Sequence, residues 1–226
     1  MVLLLTSIFL LALGRIFAKI IVAFYMASDP EIVCVYVDNS NIFHEGQRYA
    51  EQTKHENRHA FRIHFRNFLT LIAGDRPLAE VVWSGSIPPP DDSVWTHLKS
   101  LHIKPDLIPR ASTGEHETVD HLIQLRMHRY ARKYRNNSGV IALCTGDGKG
   151  YAKEEGFLFD LEGFAEDGWK VEVFSWTHAC HGKLKRFAET AGEFVPLERW
   201  YHNISFIQGG RHVEPLSPDF PNELPS

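Results

Sequence analysis

A run of six apolar residues, most of them β-branched, leads directly into four small polar residues near the start of the sequence. The run is IVCVYV (32–37), and Asp38, Asn39, Ser40 and Asn41 follow it. A continuous apolar run of this length is typical of a strand that is covered on both faces of a parallel sheet. Because such strands point their carboxyl ends at the ligand crevice of an open α/β sheet, Asp38 is a candidate site residue.

Strand and helix patterns alternate along the rest of the chain. This alternation predicts βαβ units, and therefore an α/β protein with a mainly parallel sheet and helices on both faces. We expect a further helix in residues 180–192. The predicted strands are 32–37, 78–85, 106–109, 169–176 and the first part of 139–150, and the predicted helices are 55–74, 91–103, 118–134 and 151–168.

The composition suits one domain, and it excludes both an overall basic protein and a disulfide-rich one. The chain has 226 residues, of which 44% are hydrophobic, and a formal net charge of −4, so a nucleic-acid partner must be held by a local basic patch. The three cysteines are too few and too scattered for a disulfide framework. They favour a reducing compartment, and we expect the protein to be cytoplasmic.

The first 26 residues are apolar apart from Arg15 and Lys19. They are compatible with a signal peptide, with a membrane anchor, or with an extension that precedes a true start at Met26. Each of the two cations costs about 2.5–3.5 kcal/mol at the centre of a membrane span. We therefore favour a start at Met26 or a weak anchor, with membrane association only if residues 1–26 are retained.

Three carboxylates from separated segments are expected to meet at one crevice. Asp38 and Asp147 follow predicted strands, and Asp120 lies in the first turn of the helix 118–134. Oxygen ligands of this kind suit Mg²⁺ or Mn²⁺. Each acid also has a purely structural explanation: a turn or helix cap for Asp38, the Gly-Asp-Gly turn for Asp147, and the helix dipole for Asp120.

Several other kinds of site lack their sequence motif. TGDGKG (145–150) is not a phosphate-binding loop of the form G-x-x-x-x-G-K-[ST], and no G-x-G-x-x-G follows the first strand. No G-x-S-x-G nucleophile motif is present. The cysteines and histidines do not have the paired spacing of a zinc site.

Three segments resemble the NYN domain, a branch of the PIN-like ribonuclease superfamily. They are VYVDNSNIFHEGQR (35–48), ETVDHLIQLRM (117–127) and the long segment ALCTGDGKGYAKEEGFLFDLEGFAEDGWKVEVFSW (142–176). The resemblance implies a PIN-like, Rossmann-like three-layer αβα sandwich over residues 30–200. It also implies an acidic Mg²⁺ or Mn²⁺ site that cleaves RNA endonucleolytically, and it leaves residues 201–226 as a Pro/Gly-rich tail.

The resemblance assigns catalytic and metal-binding roles to particular residues. Asp38, Asp120 and Asp147 take the places of the family's acids, with Asn41 as the companion of Asp38. Family members often read S/T-G-D-x-D, whereas this chain has Lys149 in place of the second acid. A protonated lysine cannot bind a metal ion, and it neutralises part of the acidic cluster.

The departure at Lys149 leaves two functions open. In the first, Glu154 or Glu155 supplies the missing carboxylate, or Lys149 contacts phosphate, and the protein is a ribonuclease. In the second, the domain is catalytically degenerate and binds RNA or a protein partner without cutting. Arg126, Arg129 and Lys133 share one face of a helix and are candidates for binding RNA, although cations near a helix C-terminus are also common on solvated faces.

Overall fold

The protein is described from a computed structural model that covers residues 31–87, 93–101, 103–109, 115–134, 139–149, 153–217 and 220. All of them except Glu31 belong to one compact unit that begins at Ile32. None of the helices formed by these residues is long and apolar enough to cross a bilayer. The predictions for residues 1–26 lie outside the described residues.

A six-stranded sheet forms the centre of the fold, and all of its neighbouring strands are parallel. A separate pair of short antiparallel strands, β2 (Phe61–Ile63) and β8 (Ser205–Ile207), lies outside it. The six strands are β1 (Val33–Asp38), β3 (Leu78–Ile87), β4 (Asp106–Pro109), β5 (Val140–Cys144), β6 (Lys170–Ser175) and β7 (Glu193–Pro196).

Helices cover both faces of this sheet, so the predicted α/β class and the Rossmann-like three-layer sandwich are confirmed. Helices α1 (Asn39–Gln52), α2 (Phe65–Ala73) and α3 (Ser93–Ser100) pack on one face. On the other face lie α4 (Glu115–Lys133), α5 (Phe157–Glu166) and α6 (Gly182–Ala191), while the single turn α7 (Tyr201–Ile204) packs on the first face.

The order of the strands in space is β4-β3-β1-β5-β6-β7. The chain builds outward from β1 to one edge of the sheet and then returns to build from β5 to the other edge. In open α/β sheets a crevice forms at the carboxyl ends of the two strands where the order reverses. Here those strands are β1 and β5, and they place the segments after Asp38 and Cys144 side by side.

The structure corrects two predictions, the helix 55–74 and the tail after residue 200. The predicted helix 55–74 begins only at Phe65, because His64 caps it by accepting a hydrogen bond from the backbone of Asn67. The preceding Phe61–Ile63 instead pairs as β2 with β8. The segment after residue 200, predicted as a tail, contains α7 and β8 in its first part and therefore belongs to the packed domain.

A half-buried acidic side chain lies under α4. Tyr36 in β1 donates a hydrogen bond from its hydroxyl to Glu80 in β3 over 3.3 Å. Burial raises the pKa of Glu80 to about 7, against the opposing effects of that hydrogen bond and of the charge on Arg126. Because the folded-state pKa exceeds the ordinary value of 4.5, this group contributes less stability as pH rises from about 4.5 to about 7.

We expect Glu80→Gln to be more stable than the wild type at pH 8, because the substitution removes a charge that is poorly solvated in the folded state. One unit of pKa shift corresponds to about 1.4 kcal/mol, and partial exposure reduces the gain to about 1–2 kcal/mol. Urea unfolding between pH 4.5 and 8 measures the difference. Equal pH dependence in Glu80→Gln and in the exposed control Glu193→Gln would show that Glu80 is not perturbed.

Candidate functional site

The four polar residues from Asp38 to Asn41 span the end of β1 and the first turn of α1, and three of them have defined partners. Asp38 is the N-cap, and its Oδ1 accepts a hydrogen bond from the backbone N–H of Asn41 over 3.1 Å. Asn39 accepts a hydrogen bond from the indole N–H of Trp83 in β3 over 3.0 Å. The segment is thus both a helix start and a junction with the neighbouring strands.

Thr145 links the end of β1 to the loop that follows β5. Its hydroxyl donates to Oδ2 of Asp38 over 3.1 Å and accepts from the backbone N–H of Asp147 over 3.3 Å. The backbone N–H of Gly146 donates to Oδ1 of Asn41 over 2.8 Å. Asp38 is 7% exposed and Thr145 is fully buried. The two loops at the strand-order reversal are therefore joined through Asp38 and Asn41, which the sequence singled out, and through Thr145.

The loop after β6 packs against the loop after β5, and it lies too close for any residue larger than glycine at positions 146 and 148. A Cβ atom added to Gly146 would lie 2.7 Å from the carbonyl oxygen of Ala179, and one added to Gly148 would lie 2.6 Å from the side chain of His181. The backbone N–H of His181 also donates to the carbonyl of Gly146 over 2.9 Å. The glycines of TGDGKG therefore serve close packing of two loops.

A row of polar residues crosses the sheet at the level of Asp38. In the strand register Asp38 pairs with Ser84, and Ser84 pairs with Asp106. Arg126 of α4 holds Asp106 through two hydrogen bonds of 2.8 and 3.0 Å. The Ser84 hydroxyl is buried and has no hydrogen-bond partner among the described residues. Nothing in the sequence pattern singled out Ser84 or Asp106, because their position depends on the register.

The predicted RNA-binding strip on α4 is interrupted by contacts within the protein. Arg126 is engaged with Asp106 on the side that faces the sheet. Lys133 is exposed, but its ammonium group lies 5.0 Å from the ring centre of Tyr130 and 4.9 Å from that of Tyr134. Arg129 is exposed. Of the three predicted cations, Arg126 is therefore occupied by a structural ion pair, and RNA binding by the other two stays a prediction.

Asp147 and Lys149 interact with each other. The Oδ1 atom of Asp147 accepts a hydrogen bond from the backbone of Lys149 over 2.9 Å, and its Oδ2 lies 3.3 Å from the Lys149 ammonium nitrogen. The Lys149 side chain is 84% exposed. The ion pair therefore sits at the open side of the loop, and Asp147 itself is partly exposed.

Asp120 lies in α4 and is partly buried. Throughout the described parts of the chain, no three Asp, Glu, His or Cys side chains lie close enough together to hold one ion. The meeting of Asp38, Asp120 and Asp147 around a metal thus stays a prediction.

The oxygen donors at the end of β1 and after β5 suit one particular mode of metal binding. Mg²⁺ is commonly held by one or two carboxylates, completes its shell with water and substrate phosphate, and does not need an all-protein cage. Asp38 and Asp147 supply two carboxylates joined through Thr145, and the unpartnered Ser84 hydroxyl lies in the neighbouring strand. Oxygen donors of this kind are the type that Mg²⁺ and Mn²⁺ prefer, and binding of either ion here stays a prediction.

A cleft of about 440 Å³ lies between α4 and α5, away from these residues. Two of its lining residues, Asp167 and Trp169, immediately precede β6, which places the cleft near the amino edge of the sheet. The cleft is therefore distinct from the crevice beside Asp38. Its lining residues are His128, Ala131, Arg132, Phe164, Asp167 and Trp169.

Comparisons with known proteins support the fold and leave the function open. No family model and no curated protein matches the chain. It is similar in structure to a protein of unknown function from Vibrio parahaemolyticus, with a TM-score of 0.55 and 16% sequence identity over 75% of this chain and 95% of that one. At this identity the similarity shows the fold alone, and the resemblance to the NYN domain stays a prediction.

We expect Thr145→Val to destabilise the fold, because the isosteric side chain leaves a buried carboxylate oxygen of Asp38 without this donor. Loss of a hydrogen bond to a charged group costs about 1.5–3 kcal/mol. Urea unfolding at pH 7 measures the change. Thr145→Ser keeps the hydroxyl and is the matched control; equal stability of the Val and Ser variants would contradict the proposed link.

Proposed function

We propose that the protein is a metal-dependent endoribonuclease that hydrolyses RNA phosphodiester bonds at the crevice between β1 and β5. The observation that carries this proposal is the hydrogen-bonded group of Asp38, Asn41, Thr145, Gly146 and Asp147 at the reversal of strand order. Open α/β sheets bind their ligands at this place. Two carboxylates joined there suit a dication and a phosphate better than a neutral substrate, because an anionic substrate requires a bridging cation.

Asp38 and Asp147 are the residues that would hold Mg²⁺ or Mn²⁺, with Asp120 as a third carboxylate in the proposed active arrangement. A bound dication supplies electrostatic stabilisation of the charge that develops on the phosphate and increases the acidity of a bound water. The chain's own residues provide the positioning. Thr145 holds the carboxylate of Asp38 in place, and the amide of Asn41 is fixed through its oxygen, which leaves its NH₂ group as a donor.

Lys149 supports a substrate role in this proposal. Its exposed ammonium group is next to Asp147 and can reach out from the loop towards a phosphate. An exposed lysine is a compact charge suited to phosphate, and it keeps its freedom of movement. Arg129 and Lys133 extend along α4 as further contacts for an RNA backbone, so we expect binding to weaken as salt concentration rises.

The alternative function is a catalytically degenerate NYN-like domain that binds RNA or a protein without cutting. The observation that favours it is the ion pair of Lys149 with Asp147, which neutralises one of the two joined carboxylates. A lysine at this position lowers the negative potential that would attract a dication. The two functions therefore differ in what Lys149 does to metal affinity.

We expect the full chain to cleave generic single-stranded RNA only in the presence of Mg²⁺ or Mn²⁺. Asp38→Asn and Asp147→Asn should each lower the cleavage rate by more than about 100-fold, since even outer-shell partners of a metal contribute about 10–100-fold. Cleavage of a fluorescent RNA and RNA binding by filter retention are measured on the same samples. Asp75→Asn, an exposed acid in the loop before β3, is the matched control and should behave as the wild type.

Lys149→Asp separates the two functions. If the wild type cleaves, and Asp38→Asn and Asp147→Asn do not, the ribonuclease proposal stands. If the wild type binds RNA without cutting while Lys149→Asp cuts, the domain is the degenerate binding module. Equal cleavage by the wild type and by both Asn variants would show that these acids do not form the active site.

A further inference from the structure

The outer surface of α4 and α5 carries an apolar pair that no other part of the described structure covers. Leu125 of α4 is 46% exposed and Phe159 of α5 is 43% exposed, and they are the exposed large apolar side chains among the described residues. Each lies one residue from a contact between the two helices, since Gln124 and His128 both hydrogen-bond to Asp160. The pair therefore lies on adjacent helices at the same level.

The two helices run in the same direction, because each returns from the carboxyl edge of the parallel sheet to its amino edge. The contacts of Asp160 show which residues of the two helices lie at the same height along the helix axes. Asp160 bonds to Gln124 and His128, so a residue of α4 lies beside the residue of α5 that is about 34 positions later. At this spacing Leu125 lies beside Phe159, and Arg132 lies beside Glu166. The outer face thus has an apolar upper part and a charged lower part.

The charged part is divided between the helices. On α4 the exposed side chains Arg129 and Arg132 are cationic, and on α5 the exposed Glu166 is anionic. Within the described part of the chain, the side chains of Arg132 and Glu166 make no ion pair or hydrogen bond. One face therefore carries both members of an attractive pair on separate helices, and they are not paired with each other.

Gly163 lies in the middle of α5 on the same outer face. A Cβ atom added there would have no atom within 4 Å, so packing within the chain does not require a glycine. A glycine inside a helix costs about 0.5–1 kcal/mol relative to alanine, which makes its presence unfavourable without another reason. Close approach of a second chain to the helix backbone is such a reason.

We propose that this face, formed by the outer surfaces of α4 and α5, binds a second copy of the same chain. A two-fold axis parallel to the helices and just outside the face places α4 of each copy over α5 of the other. This rotation does not change the height of any residue along the helix axes. Leu125 then meets Phe159, Arg132 meets Glu166, and Arg129 lies over Gly163, each contact occurring twice.

The alternative two-fold axis, perpendicular to the helices, does not suit the charges. It would place α4 over α4 and α5 over α5 in opposite directions, so that Arg132 would not face Glu166. An axis at the level of these charges would set arginine against arginine and glutamate against glutamate. Like charges directly opposite each other disfavour association. The self-complementary arrangement is therefore the one with α4 against α5, and it selects a second copy over a partner of uniform charge.

The size of the face indicates how tight this dimer is. At 1.5 Å per residue, the 19 residues of α4 and the 10 residues of α5 are about 28 Å and 15 Å long, and each helix is about 10 Å wide. The face is thus about 400 Å² per copy, roughly half of the area of a standard interface. We expect a reversible dimer with a Kd in the micromolar range.

Sedimentation velocity of the full chain from about 1 to 200 µM tests the proposal. The wild type should shift from monomer to dimer over this range. Arg132→Glu and Glu166→Arg should each raise the Kd by about tenfold or more, because each reverses two attractive contacts. The double variant Arg132→Glu/Glu166→Arg restores both contacts with opposite polarity and should return the Kd to within about threefold of the wild type.

Two controls keep the result specific. Arg66→Glu changes the net charge equally on α2, in the opposite helix layer, and should leave the Kd unchanged. Thermal unfolding of all variants checks that they fold. A wild type that stays monomeric at 200 µM, or single variants that associate as the wild type does, would overturn the proposal; association that the double variant does not recover would also overturn it.

Discussion

The Asp38 carboxylate is the point on which the two halves of the fold meet. It is almost fully buried, and a buried carboxylate is tolerated only where hydrogen-bond donors replace the water that it has lost. Two of its donors come from different places: the first turn of α1 supplies a backbone N–H, and the loop after β5 supplies the Thr145 hydroxyl. The carboxylate therefore fixes the start of α1 against the end of β5.

The neighbouring contacts depend on this arrangement. Once Thr145 is held by Asp38, the next N–H along the chain points at Asn41, and the carbonyl of the same residue, Gly146, accepts from His181. The loops after β1, β5 and β6, which are adjacent strands in the sheet, are joined in this way. A crevice with walls tied by hydrogen bonds needs little rearrangement to hold a ligand, which is the condition for accurate positioning of reacting groups.

The sequence was sufficient to predict the elements whose buried residues form an uninterrupted apolar run. β1 and β5 are buried on both faces, so their apolar runs were recognisable. Helix α1 was not predicted, because its inward face consists of Ile42, Gly46, Gln47 and Ala50, and only two of these are ordinary core residues. At Gly46 the aromatic ring of Phe61 takes the space of a side chain, so the pattern has a gap.

The site was predictable only in part, for a related reason. Asp38 and Asp147 could be located from strand ends alone. The Ser84 and Asp106 positions depend on how strands far apart in sequence are aligned, and no local pattern records that register. β2 was hidden because Phe61 also continues the helical spacing of Phe65 and Phe68, and only pairing with β8 decides between the two structures.

The magnitude of one ion pair bears on how Lys149 is interpreted. Its side chain is 84% exposed, and ion pairs at such exposed positions contribute about 0–1 kcal/mol. Because the contact with Asp147 is this weak, a dication or a phosphate group can displace the ammonium group at small cost. Lys149 therefore lowers the negative potential of the crevice without blocking a carboxylate. In the proposed ribonuclease, its ammonium group would be free to contact a phosphate of the RNA. On this argument the lysine weakens metal binding in the absence of substrate more than in its presence, so the affinity for the dication should depend on whether RNA is bound.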